Sequence, residues 1–183
     1  MFDVDRLLDE CRAAGAEAEP RLAVRDVLAR ALDRPGDVAA ALRPTEGGLQ
    51  FLHHAEDLTV VHVVWAPGMR LYPHDHRMWA AIAIYTGRED NTFYRRAGAG
   101  DRGLDETGGR SLAVGDVLLL GDDTIHAVTN PEARLTGAIH VYGGDFVNEP
   151  RSQWGPGPQE ERPFDLDEAR RQFEEANRAA ANR

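Results

Sequence analysis

The chain has 183 residues with 21 Lys+Arg against 31 Asp+Glu, a formal net charge of −10 at pH 7, which argues against nucleic-acid and acidic-membrane partners. Hydrophobic residues make up 42% and charged residues 28%, the balance of a globular protein able to build one sizeable core, so a single domain over 1–183 is expected. Lysine is absent, and the lone Cys11 excludes an intrachain disulfide and a multi-cysteine metal cluster. No segment reads as a leader or a membrane span, and a cytoplasmic protein is the default expectation.

Residues 3–44 read as a helical arm. Val24, Val27, Leu28, Ala31 and Leu32 recur at helical spacing, and Arg34-Pro35-Gly36 punctuates before a shorter turn through Val38 and Leu42. Cys11 in this arm reads as a small buried hydrophobe. From Gly47 to about Asn148 the period changes to two, with glycine, asparagine and aspartate between segments, which predicts a β core over 48–148. Strands are expected at Gln50–His54, Leu58–Trp65, Tyr72–His76, Trp79–Tyr85, Asn91–Arg96, Ser111–Val114, Val117–Leu120, Ile125–Val128 and Leu135–Tyr142. Many short strands with regular turns imply an all-β sandwich or barrel. The glycine- and charge-rich Gly98–Gly109 segment predicts a mobile loop between its halves. Residues 149–183 read as an extended strap bounded by Pro150 and Pro163, then a helix. Asp165 caps that helix with Glu168 three residues on, and Leu166, Ala169, Phe173, Ala176 and Ala180 form its apolar stripe.

The chemistry concentrates in Pro73-His74-Asp75-His76. In an extended strand, side chains at i and i+2 share a face, so His74 and His76 point together while Asp75 points away. Two convergent imidazoles are half of a site for iron, copper, nickel or zinc. A second cluster follows. If the Asn130-Pro131 turn is symmetric about Glu132, Ile125–Val128 and Leu135–Tyr142 form a hairpin with His126 opposite Ala138. His140 and Tyr142 then lie on the same inner wall as His126.

Two spaced motifs resemble those of the cupin superfamily. The first runs Gly68, five residues, His74-x-His76, three residues, Ala80, six residues, Gly87; the second runs Gly115, five residues, Gly121-x-Asp123, two residues, His126, three residues, Asn130. The resemblance implies a cupin-type double-stranded β-helix barrel, with N-terminal helices and a C-terminal helix around it, and a metal on His74, His76 and His126. Ala80 stands where a glutamate ligand is common, Gly121 where a proline is, and Asp123 where a glycine is. Three neutral imidazoles leave the full 2+ charge on the ion, which favours anionic, chelating ligands such as thiolates.

Within that superfamily, Trp65-Ala-Pro-Gly68, His74-Asp75-His76, Trp79, Ile125-His126-Ala-Val-Thr-Asn130 and Ile139-His140-Val-Tyr142-Gly143 resemble the cysteine and 3-mercaptopropionate dioxygenase group. The resemblance implies Fe(II) as cofactor, with zinc or nickel also acceptable to the ligand set, and a Ser-His-Tyr relay beside it. His140 and Tyr142 carry over as catalytic residues, with Tyr142 expected to donate a hydrogen bond to substrate or oxygen. Ala138 replaces the serine, and the cysteine that some members cross-link to the tyrosine falls near Ala81. Gln50 stands nearest the position of the family's carboxylate-binding arginine, as in the 3-mercaptopropionate branch. Gln50, Arg77 and Trp65 are therefore the candidate substrate-binding residues, with Arg70 and Arg88 as further cations. His62 alternates with Val61 and Val63 and faces away if Trp65 faces in. Of the adjacent His53 and His54, His54 shares the parity of Gln50 and is expected nearer the pocket.

The function expected is a mononuclear iron(II) dioxygenase that converts a small thiol and O₂ to a sulfinate, with homo-oligomer formation left open. The alternatives are a non-thiol oxygenase, a zinc or nickel isomerase or lyase, or a small-molecule-binding cupin.

Overall fold

A computed structural model describes residues 2–98, 103–155 and 160–182. Three helices come first: α1 (Val4–Gly15), α2 (Pro20–Ala31) and α3 (Pro35–Leu42). The Asp3 side chain caps α1 by accepting from the Arg6 amide, and α2 and α3 each begin on a proline, which needs no intrahelical partner for its nitrogen. Cys11, Val24, Val27, Leu28 and Val38 form their buried stripe, each such aliphatic side chain contributing roughly 1.5–3 kcal/mol. Burial, then the charge of Glu10, pushes the Cys11 thiol up to about 12, so it is inert as the sequence suggests.

The core strands are β1 (Gly48–His54), β2 (Thr59–Trp65), β3 (Arg70–Asp75), β4 (Ala80–Thr86), β5 (Arg88–Arg96), β6 (Leu104–Ala113), β7 (Val117–Leu120), β8 (Ile125–Thr129) and β9 (Thr136–Tyr142). Two short strands, β10 (Ser152–Trp154) and β11 (Glu161–Pro163), and helix α4 (Leu166–Ala181) follow. They form two antiparallel sheets, ordered β1-β2-β9-β4-β7 and β11-β10-β3-β8-β5-β6. Strand β2 pairs with β9, β3 with β8, β4 with β7 and β5 with β6. The core is thus one long antiparallel ribbon whose successive pairs fall alternately in the two sheets. That winding is the expected double-stranded β-helix. Gly87 (φ 77°) turns the corner from β4 to β5, where an added Cβ would meet Thr136 Cα at 2.8 Å.

Helices α1–α3 cover the outer face of the first sheet, against Val60, Ala81, Ala83, Ile139 and Val141. The inner faces of both sheets enclose Val61, Val63, Trp65, Leu71, Ile82, Val128 and Tyr142. Asp165 caps α4 by accepting from the Asp167 and Glu168 amides, and Phe173 of α4 stacks on Trp65 with ring centres 5.2 Å apart. Among the described residues no helix is long and apolar enough to cross a membrane.

Three expectations are corrected. Strands β8 and β9 are not a hairpin: β8 lies between β3 and β5 in one sheet, β9 between β2 and β4 in the other. The Asn130-Pro131 turn carries the chain across the barrel, and His126 faces His74 and Phe93 rather than Ala138. The Gly98–Gly109 segment is not a loop throughout, since β6 begins at Leu104 and pairs with β5 from Arg96 to Arg88; residues 99–102 lie outside the described residues. The strap is partly a hairpin, with β10 pairing β11 and adding to β3 at Gln153 opposite His74.

A buried carboxylate fastens that strap. Asp75 accepts from the Ser152 amide at 2.7 Å and pairs with Arg77 at 3.0 Å and Arg96 at 3.4 Å. Arg96 also binds Glu161 at 2.7 Å and holds its carboxyl down to about 2. Breaking a fully buried pair costs about 3–5 kcal/mol; with the arginines partly exposed, Asp75→Asn should cost about 2 kcal/mol. Urea denaturation and limited proteolysis at 149–163 measure this, and an unchanged midpoint with an unchanged cleavage pattern would refute the clamp.

Candidate metal centre

Strand register builds the site. Antiparallel pairing of β3 with β8 sets His74 opposite His126 on the inner face. An extra residue in β3 between Leu71 and His74 lets both face inward, and Pro73, which cannot donate to the ladder, sits in that irregular stretch. His76 follows just past the strand, where Arg77 takes a left-handed φ of 58°. The ring centres of His74, His76 and His126 lie 4.7–5.0 Å apart.

Hydrogen bonds orient two of the rings. His74 Nδ1 is 2.9 Å from the Tyr72 carbonyl and His126 Nδ1 is 2.7 Å from Asn91 Oδ1. A carbonyl oxygen only accepts, so His74 carries its proton on Nδ1. The Asn91 oxygen imposes the same on His126, leaving both Nε2 atoms bare. His76 Nε2 stands 3.3 Å from His126 Nε2. Two nitrogens bound at 2.0–2.1 Å to one tetrahedral ion are about 3.3 Å apart. Burial pushes all three imidazoles down, His74 to about 4 and His76 and His126 well below the usual histidine value; the Tyr72 carbonyl partly offsets the first, and neighbouring histidines lower the other two. Three neutral imidazoles whose ligand atoms all lie within 4.8 Å of one another fit a divalent transition metal. Ala80 is on the inner face opposite Tyr142, and its methyl group offers no fourth ligand.

The rings face a small cavity of about 20 Å³, lined by Trp65, His140, Tyr142, Phe146 and Phe164 among others. A roomier groove of about 490 Å³ between α1 and α2 is lined by Arg6, Glu10 and Arg30 and holds no histidine. His140 and Tyr142 do face the metal side, because β9 presents them inward from the opposite sheet, and His140 Nδ1 is 2.9 Å from the Tyr142 hydroxyl. Burial raises the Tyr142 phenol, so it remains protonated.

The substrate-binding candidates fare differently. Trp65 lines the cavity, but its Nε1–H donates to Glu89 at 2.6 Å, so it is an apolar wall. Gln50 does not face the cavity: it lies on the outer side of β1, 3.3 Å from His62. His62 faces away as expected and binds Tyr85 at 2.7 Å. A bulge after Phe51 breaks the parity assumed between Gln50 and His54. His54 instead sits opposite Thr59 and pairs with Asp145 at 2.7 Å. Arg77 also points away, held by Asp75 and Asp123, and Arg88 binds Asp90 and Ser111 at the surface.

Sequence reasoning missed three residues. Arg151 is 7% exposed, with its guanidinium carbon 4.1 Å from the Phe146 ring centre and 3.9 Å from that of Phe164. It donates to the Phe146 carbonyl through Nη1, while Nε and Nη2 have no hydrogen-bond partner among the described residues. Burial lowers it to about 10, so it stays charged. It lies in the aperiodic strap, where no spacing announces it. Glu89 and Asn91, both buried, were readable by the i, i+2 rule that found the histidines.

His126→Ala should abolish stoichiometric metal binding, whereas His140→Ala should retain most of it; metal analysis after reconstitution separates them, and equal loss would mean the ligands are wrongly assigned. The pH response follows from the same burial. His62 and His74 are held near 4 when folded against 6.5 when free, so only the unfolded chain takes up their protons between these values. Stability of the metal-free protein should therefore fall as pH drops from about 6.5 to 4.5, by on the order of 2 kcal/mol per histidine. Histidine ring titration by NMR checks this, and normal titration of either residue near 6.5 would refute it.

No protein-family model matches the chain. Among solved structures it is similar to an RmlC-like cupin family protein with a double-stranded β-helix fold from Methanocaldococcus jannaschii, at 12% identity over 56% of this chain and 84% of that one, TM-score 0.47. It is also similar to a conserved protein with a double-stranded β-helix domain from Klebsiella pneumoniae, at 18% identity over 63% and 87%, TM-score 0.47. Bacillus subtilis oxalate decarboxylase matches at 16% identity over 58% of this chain and 27% of that one, TM-score 0.45. These likenesses lie in the strand framework and say nothing of chemistry, so the architecture rests on the strand pairing described above.

Proposed function

We propose that the protein is a mononuclear non-haem iron(II) dioxygenase that oxidises a small carboxylate-bearing thiol, 3-mercaptopropionate- or cysteine-like, to its sulfinate. Both oxygen atoms of O₂ end on sulfur and the electrons balance within RSH and O₂, so no added reductant is needed. The observation that carries this reading is the trio of neutral histidines beside the His140–Tyr142 pair, with the buried cation of Arg151 stacked on the cavity wall.

Iron(II) held by His74, His76 and His126 supplies Lewis acidity toward the thiol and electrons toward O₂. The chain's own groups do the rest. Arg151 has two unpaired N–H edges in a low-dielectric setting, where a carboxylate is worth far more to it than at the surface. The Phe146 and Phe164 rings line the cavity beside the histidines and give it an apolar wall against which a short carbon chain would pack. Tyr142, fixed by His140, handles the thiol proton.

Oxygen uptake by the iron-loaded protein should be stimulated by 3-mercaptopropionate or cysteine and much less by 2-mercaptoethanol or cysteamine. Arg151→Met should raise KM for the carboxylate thiols by about 10- to 100-fold, the worth of a charged hydrogen bond, and remove that preference. Tyr142→Phe should lower kcat while keeping the metal. If no thiol stimulates uptake, the substrate class is wrong.

A further inference from the structure

Behind the histidines, a chain of polar groups runs through the barrel interior. Glu89 is fully buried, with Oε2 accepting from Trp65 Nε1 at 2.6 Å and Oε1 accepting from Asn91 Nδ2 at 2.9 Å. Asn91 presents its Oδ1 to His126 Nδ1 at 2.7 Å. On the other side, Glu89 Oε2 faces His140 Nε2 at 3.6 Å, and that nitrogen is buried without a hydrogen-bond partner among the described residues. His140 Nδ1 is the atom that meets the Tyr142 hydroxyl, at 2.9 Å. One carboxylate therefore stands at the branch of two arms, one ending on a ligand histidine and the other on the tyrosine.

A carboxylate only accepts, and this fixes the polarity of both arms. Asn91 must turn its NH₂ toward Glu89, so its oxygen faces His126, whose Nδ1 carries the proton and whose Nε2 is bare. Toward His140, an N–H edge facing the carboxylate is attractive, while a lone pair facing it at that distance is repulsive. His140 is then protonated on Nε2 and bare on Nδ1, so Tyr142 donates to it and turns oxygen lone pairs, not its O–H, toward the cavity.

We infer that Glu89 is the positioning residue of this site, taking the place left by Ala138 and setting the His140–Tyr142 pair as a proton acceptor. An incoming thiol gives its proton to the Tyr142 oxygen as the phenol proton passes to His140 Nδ1. The products are a thiolate and an imidazolium whose Nε2–H faces Glu89. This reverses the hydrogen-bond direction that the sequence resemblance implies for Tyr142. The catalytic part rests on the thiol-oxidation reading; the hydrogen-bond polarity does not.

The test measures ring-nitrogen shifts of His126 and His140 by NMR in the metal-free protein, wild type and Glu89→Gln. Wild type should show His140 protonated on Nε2 and His126 on Nδ1. In Glu89→Gln the amide brings a donor to one arm, so at least one of the two tautomers should invert. Glu89→Asp, which keeps the charge, should preserve both. A wild-type His140 protonated on Nδ1 overturns the inference without any variant, as do unchanged tautomers in Glu89→Gln. In the iron-loaded enzyme, Glu89→Gln should lower kcat on its thiol by about 10- to 100-fold with little change in KM. If the tautomers behave as stated but no thiol is oxidised by wild type, the role of Glu89 stands and the substrate reading falls.

Discussion

The pairing of β3 with β8 is the constraint on which the centre depends. It sets His74 directly across from His126, and a slip of one residue would send one of the two rings to the opposite face. The register is held by burial on both sides: Leu71 and Val128 pack inward, while Ile125 opposite Asp75 packs outward. The hydrophobic pattern of the barrel thus sets where the candidate ligands stand, and the hydrogen bonds to Tyr72 and Asn91 set how the His74 and His126 rings are turned.

The distribution of charge in the interior is unusual in one respect. Among the described residues no carboxylate joins the three histidines, and Ala80 occupies the inner position opposite Tyr142. A buried carboxylate stands one layer back, at Glu89, where it touches Trp65 and Asn91. Arg151 stands on the other side, above the rings of Phe146 and Phe164. A divalent ion on three neutral imidazoles would keep its full charge, and the Arg151 guanidinium adds a second buried positive charge against the Phe146 and Phe164 rings that line the cavity.

What could be read from the sequence was local. The i, i+2 spacing found His74 and His76, the period-two pattern found every core strand except β6 within a few residues, and Asp165 marked the start of α4. The expectation that His140 and Tyr142 share a wall with His126 fails, since β8 and β9 belong to different sheets; the two side chains reach the three histidines from across the cavity instead. Gln50 was lost to parity, because its side chain falls on the His62 side of the sheet and the bulge after Phe51 undoes the extrapolation to His54. Arg77 was lost to backbone conformation, since its left-handed turn swings the guanidinium onto Asp75. Non-local pairing, bulges and single-residue turns leave no periodic trace. Arg151 is the same problem in a segment that has no period at all.

Asp75 sits between the two ligands of the histidine motif and also holds the strap that carries Arg151. One residue thus belongs mechanically to two sites. A displacement of β3 at the histidines would reach the strap through the Ser152 amide, and one of the strap at Arg151 would reach the histidines by the same bond. Any coupling of this kind is reciprocal by thermodynamic necessity. Asp75 thus ties the strand that carries the histidines to the segment that carries the buried guanidinium.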